Sequence, residues 1–176
     1  YLFLDGARLG YGLAAPDNDL TLPEIAALCD VFYIGGTKVG ALFGEAVVIK
    51  NPELAQDFRY LIKQNGGMLA KGRLLGLQFD ALFTDGLYQE ISAHAIAMAE
   101  KLREAFTAKG YNYLAPNRTN QIFVIVPDAH LAKISEQFEY SYDQRIDATH
   151  SCVRFCTSWA TKEENVDALI RCVEKL

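Results

Sequence analysis

Four side chains in this sequence have types and positions suited to joint chemistry: Asp5, Arg8, Lys38 and Arg154. Lys38 follows Gly35-Gly36-Thr37 at the end of a short apolar run, and small or apolar residues then continue to Gly44. A lysine on a tight turn at the mouth of a sheet, with little charge beside it, is in a setting that disfavours the ammonium form. Its amine is then a better nucleophile toward carbonyls. For Lys38 alone the plainer reading is a solvated loop lysine. Asp5 stands at the carboxyl end of the apolar run 1–4, with Gly6-Ala7 to turn the chain and Arg8 three residues after the acid. Alone, it reads as a turn aspartate with a solvated or paired arginine. Arg154 lies in a strand-like run where Cys152 and Cys156 share its face and Val153 and Phe155 share the other. An unpaired guanidinium among apolar neighbours is costly. Its planar fork suits a carboxylate from the protein or from a ligand, and both partners remain open.

The elements around these residues follow from ordinary patterning. Residues 31–34 (Val-Phe-Tyr-Ile) are β-branched and aromatic and too few for a helix, so they read as a buried strand. Residues 1–4 read as another, and 9–19, punctuated by glycine and proline, as loop. Thr21, Pro23 and Glu24 mark a helix start that runs to about Cys29. Strand, crossover helix, strand is a βαβ unit with parallel strands. That topology brings Asp5 and Lys38 to one sheet edge, where open α/β sheets bind ligands. Residues 46–50 read as a further buried strand, and Asn51-Pro52 opens a helix to about Gln64, broken by Asn65-Gly66-Gly67. A helical region from Leu74 breaks at Thr84-Asp85-Gly86. Beyond it Tyr88, Ile91, Ala95, Met98, Leu102 and Ala105 form one face of a helix that ends at Lys109, with Gly110 as its left-handed stop. After Gly110 the pattern predicts strands at 111–114, 121–126, 139–142 and 152–157 and a helix at 129–138. A capping box from Thr161 to Glu164 begins a terminal helix, which completes a compact α+β domain with an antiparallel sheet.

Of the 176 residues 51% are hydrophobic and 22% charged, with a net charge of −5, enough for one good core or parts of two. The balance of 17 basic against 22 acidic side chains argues against a nucleic-acid or anionic-membrane surface. No apolar run approaches the ~20 residues of a membrane helix. No signal peptide is visible. The chain opens on Tyr1 in mid-strand without an initiator methionine, so an upstream portion is expected. Cys29, Cys152, Cys156 and Cys172 have neither disulfide-scaffold density nor metal-site spacing. Structural thiols in a reducing compartment, cytoplasmic or organellar, are expected, and no metal. His94, His130, His150, Arg145 and Lys133 read as surface groups.

An acid at one strand end, a lysine on the turn after the next strand and an arginine from a following small domain are the parts that pyridoxal-phosphate chemistry needs. The amine condenses with the cofactor aldehyde, the carboxylate keeps the pyridine nitrogen protonated, and the arginine fixes an amino acid carboxylate. Leu4-Asp5-Gly6-Ala7-Arg8, Gly36-Thr37-Lys38 and Asn65-Gly66-Gly67-Met68 strongly resemble the threonine aldolase branch of the β-eliminating lyase family, which are fold-type-I pyridoxal-phosphate enzymes. The likeness covers essentially the whole chain but only the C-terminal half or so of a family member. It implies an α/β fold: part of the cofactor-binding large domain (1–72), a connecting helical region (73–110) and a small C-terminal α+β domain (111–176). It also implies that Lys38, with Thr37 beside it, holds the cofactor, and that Asp5 pairs with its ring nitrogen. Arg8 then lies near the cofactor's phenolic oxygen or the substrate, and Arg154 binds the substrate carboxylate. Family members cleave threonine, allo-threonine or related β-hydroxy-α-amino acids to glycine and an aldehyde, as homodimers or homotetramers. Two departures stand out. Leu69 occupies a position where the family commonly has an arginine that reaches a neighbouring subunit's cofactor phosphate, with Lys71 or Arg73 as substitutes. The family's phosphate-cradling glycine loop and ring-stacking histidine are upstream segments absent here, so no general base is assigned. Two alternatives remain: β-elimination on the same cofactor, as in the tryptophanase relatives, and a non-catalytic remnant that merely folds or assembles.

Overall fold

A computed structural model describes residues 1–176, which divide into two compact units. The first comprises Tyr1–Leu13 and Asn18–Ile91, the second Ala14–Asp17 and Ser92–Leu176. No helix is long and apolar enough to cross a membrane.

The first unit is built on a three-stranded sheet in the order β1 (Phe3–Leu4), β2 (Val31–Gly35), β3 (Glu45–Ile49). β1 and β2 run parallel, with Phe3 opposite Val31 and Leu4 opposite Phe32, as a βαβ unit requires. Helix α2 (Leu22–Leu28) makes the crossover. Its start is the one the sequence marks, since the Glu24 carboxylate accepts the Thr21 N–H at 2.7 Å and the Thr21 hydroxyl at 2.6 Å. β3 pairs antiparallel with β2. It is not the fully buried strand its composition suggests: Val47 is 49% exposed, so one face of β3 lies open.

Two other expectations are corrected in this unit. Residues 9–13, expected as loop, form helix α1 (Leu9–Leu13) despite two glycines. The cause is packing: Tyr11 is 1% exposed, and the Gly10 N–H donates to the Tyr88 hydroxyl at 3.1 Å. The single helix expected over 51–64 is two, α3 (Pro52–Ala55) and α4 (Phe58–Gln64). Asp57 breaks it at φ 56°, a left-handed conformation that aspartate tolerates. Neither piece buries a residue, so no core contact holds the turns in line. α5 (Arg73–Phe83) and α6 (Leu87–Ala108) are separated by a 3₁₀ turn at the expected Thr84–Gly86 break. The division between units falls inside α6, after Ile91.

The second unit carries the antiparallel sheet β4 (Asn112–Tyr113), β5 (Gln121–Pro127), β7 (His150–Cys156), β6 (Ser141–Arg145), in that order. Strict alternation in β5 buries Ile122, Val124 and Val126, which pack with Val153 and Phe155 of β7. Helices α6, α7 (Asp128–Ile134) and α8 (Glu163–Glu174) close this core through Leu102, Phe106, Ile134, Leu169 and Val173. The capping box expected at Thr161 is not made. The Thr161 hydroxyl oxygen instead accepts the Ser158 N–H at 2.8 Å, which leaves Lys162 at the N-cap without a side-chain bond.

Candidate active site

The parallel pairing of β1 and β2 sets the geometry of the first unit's site. The N–H of Gly35, the last residue of β2, donates at 2.9 Å to the carbonyl of Gly6, two residues past β1, so the two strand ends leave the sheet in contact. Only glycines fit there, because a Cβ on Gly6 would stand 1.6 Å from the Tyr33 carbonyl oxygen and one on Gly35 2.3 Å from that of Ala7.

Asp5 emerges at this joint with its side chain exposed. Its Oδ1 accepts the Ala7 N–H at 3.0 Å and the Tyr33 hydroxyl, and no hydrogen bond engages Oδ2. The Tyr33 bond, then the Ala7 bond, hold the carboxyl below its ordinary range. Partial desolvation opposes them, and the charges of Lys38 and Arg8 add to them. These charges bring Asp5, Arg8 and Lys38 into one electrostatic neighbourhood. Tyr33 answers in kind: its hydroxyl is pushed up to about 12, chiefly by the bond to Asp5, with desolvation and the charges of Asp5 and Glu45 behind it.

The turn that carries Lys38 is held from several sides. The Val39 and Ala41 N–H groups donate to the Gly36 carbonyl at 2.9 and 3.0 Å, and the Gly36 N–H donates to Glu45 Oε2 at 2.5 Å. The Tyr88 hydroxyl donates to the Gly35 carbonyl at 3.0 Å, and the Tyr11 hydroxyl to that of Lys38. Val39 is wholly buried beside it, while the Thr37 and Lys38 side chains are exposed. The desolvated setting expected for Lys38 is therefore not found. The amine lies in the open, unpaired, with the Asp5 carboxylate in its field. Arg8 is half-buried and forms no ion pair.

Arg154 belongs to the second unit, opposite Phe123 on β5 and Ser141 on β6. Its guanidinium carbon lies 5.9 Å from the centre of the Phe123 ring, a cation–π arrangement. No acid pairs with it, and its Nε is buried without a hydrogen-bond partner. Of the two partners left open by the sequence, a structural carboxylate is thus absent. The side chain lines a cleft of about 340 Å³ with Phe138, Tyr140, Thr157 and Asn165. An orphaned donor beside a cleft suits an incoming acceptor.

Tyr33 was not singled out by the sequence, because alternation in 31–34 reports only which face is buried. Arg145, expected as a solvated charge, pairs with Asp128 at 2.5 Å. The histidines are likewise engaged: His94 with the Thr161 carbonyl at 2.8 Å, His130 with the Tyr111 hydroxyl at 2.7 Å, and His150 with Asp147 at 3.0 Å. Leu69, Lys71 and Arg73 are exposed. No three His, Cys, Asp or Glu side chains are grouped as a metal site would need.

No family model matches the chain. Among curated proteins it is similar to the low specificity L-threonine aldolase of Pseudomonas sp. (strain NCIMB 10558), 31% identical over 172 residues, covering 96% of this chain and 48% of that protein. The Pseudomonas aeruginosa protein of the same name is 28% identical over 172 residues, with 97% and 49% covered. The chain thus spans about half the length of the curated relatives it matches. Among solved structures, the threonine aldolase of Leishmania major superposes with a TM-score of 0.97 at 42% identity, covering 99% of this chain and 51% of that one. Sphingomonas wittichii serine palmitoyltransferase (TM-score 0.66, 16% identity, 98% and 46% covered) shares the fold. Catharanthus roseus tryptophan decarboxylase shares it too (0.70, 13%, 99% and 42%). The architecture is the fold-type-I α/β arrangement that the sequence implies.

Proposed function

We propose, from the premise that this chain is threonine aldolase-like in sequence and fold over nearly its whole length, that the protein is a pyridoxal-phosphate-dependent carbon–carbon lyase. It cleaves threonine, allo-threonine or related β-hydroxy-α-amino acids to glycine and an aldehyde. The observation that carries this is the placement of Asp5 and Lys38 at one edge of a parallel strand pair, with the Lys38 charge felt at the Asp5 carboxylate.

The residues fit the cofactor. Asp5 keeps one carboxylate oxygen without a partner while the other is held, and Lys38 offers an exposed amine with no ion pair of its own. When bound, pyridoxal phosphate supplies an electron-accepting ring that weakens a bond at the substrate's α-carbon. Asp5 accepts the ring N–H and keeps it protonated, as its lowered proton affinity suits. Lys38 anchors the cofactor, with Thr37 beside it. Arg8 turns positive charge toward the cofactor's phenolic oxygen or the substrate. Arg154 grips the substrate carboxylate through its fork and so orients the bond to be broken. Exposed apolar residues of the first unit, among them Leu42, Tyr60 and Leu77, support assembly into a homodimer or homotetramer. Four free cysteines accord with a reducing, cytoplasmic setting.

The test is product analysis with the full-length protein and pyridoxal phosphate. Aldehyde and glycine are expected from threonine, allo-threonine or phenylserine. Pyruvate from serine or tryptophan in their place would overturn the aldolase assignment in favour of elimination.

A further inference from the structure

Asp5 is held by one oxygen only. The Ala7 N–H and the Tyr33 hydroxyl converge on Oδ1, and Oδ2 has no hydrogen-bond partner. Turning the carboxylate about its last side-chain bond would break both contacts at once, so two donors on one oxygen fix where the other points. The Ala7 bond is local and belongs to the turn itself. The Tyr33 bond is not local, and it depends on the sheet. Alternation in β2 sends Phe32 and Ile34 into the core, which leaves Tyr33 on the opposite face, its ring centre 6.1 Å from that of Phe3. The parallel register, with Leu4 opposite Phe32, then carries Tyr33 alongside Asp5. An ionised carboxylate has no proton to give, so the phenol is the donor. The same bond makes the phenol a weak acid, so it remains a donor at any working pH.

The geometry points to Tyr33 as a positioning residue for the cofactor. Its hydroxyl locks Asp5 so that Oδ2 alone is presented to a protonated ring nitrogen, a role that rests on the pairing of Asp5 with that nitrogen proposed above. Tyr33 touches neither substrate nor cofactor in this role and acts through Asp5.

The experiment measures equilibrium affinity of the full-length protein for two ligands: pyridoxal phosphate and its analogue in which C–H replaces the ring nitrogen. Tyr33→Phe keeps the ring against Phe3 and removes only the donor. It is expected to weaken pyridoxal phosphate by about 10-fold, as loss of a hydrogen bond to a charged group does. The analogue, which offers Oδ2 nothing to accept, should bind unchanged. Equal weakening of both ligands, or of neither, overturns the role given to Tyr33. Asp5→Ala, measured in parallel, separates this from the underlying reading. It should abolish the preference of the wild-type protein for pyridoxal phosphate over the analogue. If that preference survives, the pairing of Asp5 with the ring nitrogen fails, and the role of Tyr33 with it. Should Tyr33→Phe fold poorly, carbon-13 NMR of labelled tyrosine in Asp5→Ala decides the matter. The Tyr33 hydroxyl must then titrate well below its wild-type value, and an unmoved titration refutes the contact.

Discussion

Replacing Gly6 by alanine puts a Cβ 1.6 Å from the Tyr33 carbonyl oxygen and 2.8 Å from its carbonyl carbon. Both are backbone atoms and cannot swing aside. Gly6 does not have a positive φ, so the cost is steric and owes nothing to backbone preference. A carbon and a carbonyl oxygen in contact normally keep about 3.3 Å, so the ends of β1 and β2 must part by roughly 1.7 Å. That opening breaks the bond from the Gly35 N–H to the Gly6 carbonyl, now 2.9 Å. Overpacking of this kind costs about 1–3 kcal/mol and the lost hydrogen bond about 1 kcal/mol more, for a total of roughly 2–4 kcal/mol. In a protein of this size the midpoint of thermal unfolding, followed by far-UV circular dichroism, should fall by roughly 4–16 °C. Gly35→Ala strains the same joint from the other strand, since its Cβ would stand 2.3 Å from the Ala7 oxygen and 2.6 Å from that of Gly6. Once one Cβ has opened the gap the second meets less resistance, so the double variant should lose less than the sum of the singles, by about 1 kcal/mol or more. A midpoint for Gly6→Ala within about 2 °C of wild type, or strict additivity of the pair, would refute the close approach of the two strand ends.

Arg154→Met removes the buried Nε that has no partner and replaces it with an apolar chain of similar length. Stability in urea should hold or rise, while KM for the amino acid substrate should increase by about 100-fold as the carboxylate loses a bidentate donor. Marked destabilisation with unchanged KM would make Arg154 a structural residue. Glu100 lies largely buried between Arg103, at 3.0 Å, and Arg118. Burial pushes its carboxyl up, but the bonds from Arg118 and Arg103 outweigh burial and leave it below its ordinary value. The unfolded chain therefore takes up this proton at a higher pH than the folded one, and stability from Glu100 is present above the ordinary carboxyl range and lost as pH falls through the folded value. Glu100→Gln should cost about 1–2 kcal/mol at neutral pH, after allowance for partial solvent screening, and the difference from wild type should shrink as pH falls through the ordinary carboxyl range and vanish only below the depressed folded-state value. A pH-independent difference would show that the ion pairs to Arg103 and Arg118 do not stabilise the fold.

Short-range rules made much of this molecule legible. The run around Phe32 and Ile34, the Thr21-Glu24 box, the break at Asp85 and the alternation of Ile122, Val124 and Val126 all state their structure within a few residues of themselves. The parallel pairing of β1 and β2 followed from the βαβ order, and with it the placement of Asp5 and the Lys38 turn at one sheet edge. What stayed hidden depends on distant partners. Glycines 10 and 12 speak for a loop, yet the Tyr88 hydroxyl and a buried Tyr11 hold α1 together. Thr161 looks like a cap until Ser158 claims its hydroxyl. The exposure of Lys38 and the absence of an acid at Arg154 are properties of the folded surface that no spacing reports. Tyr33 is the clearest case. Its neighbours mark it only as strand, and its hydroxyl acquires meaning from a carboxylate twenty-odd residues upstream brought alongside by register.

One amine, that of Lys38 on the turn after β2, is proposed as the attachment point for the cofactor. Full-length protein loaded with pyridoxal phosphate, reduced with borohydride and digested, can be mapped by mass spectrometry for the lysine that carries the pyridoxyl group. That group is expected on Lys38 alone, with the visible absorbance bleached on reduction and both signals lost in Lys38→Ala. A pyridoxyl group on any other lysine, or a borohydride-sensitive band that survives in Lys38→Ala, would contradict it.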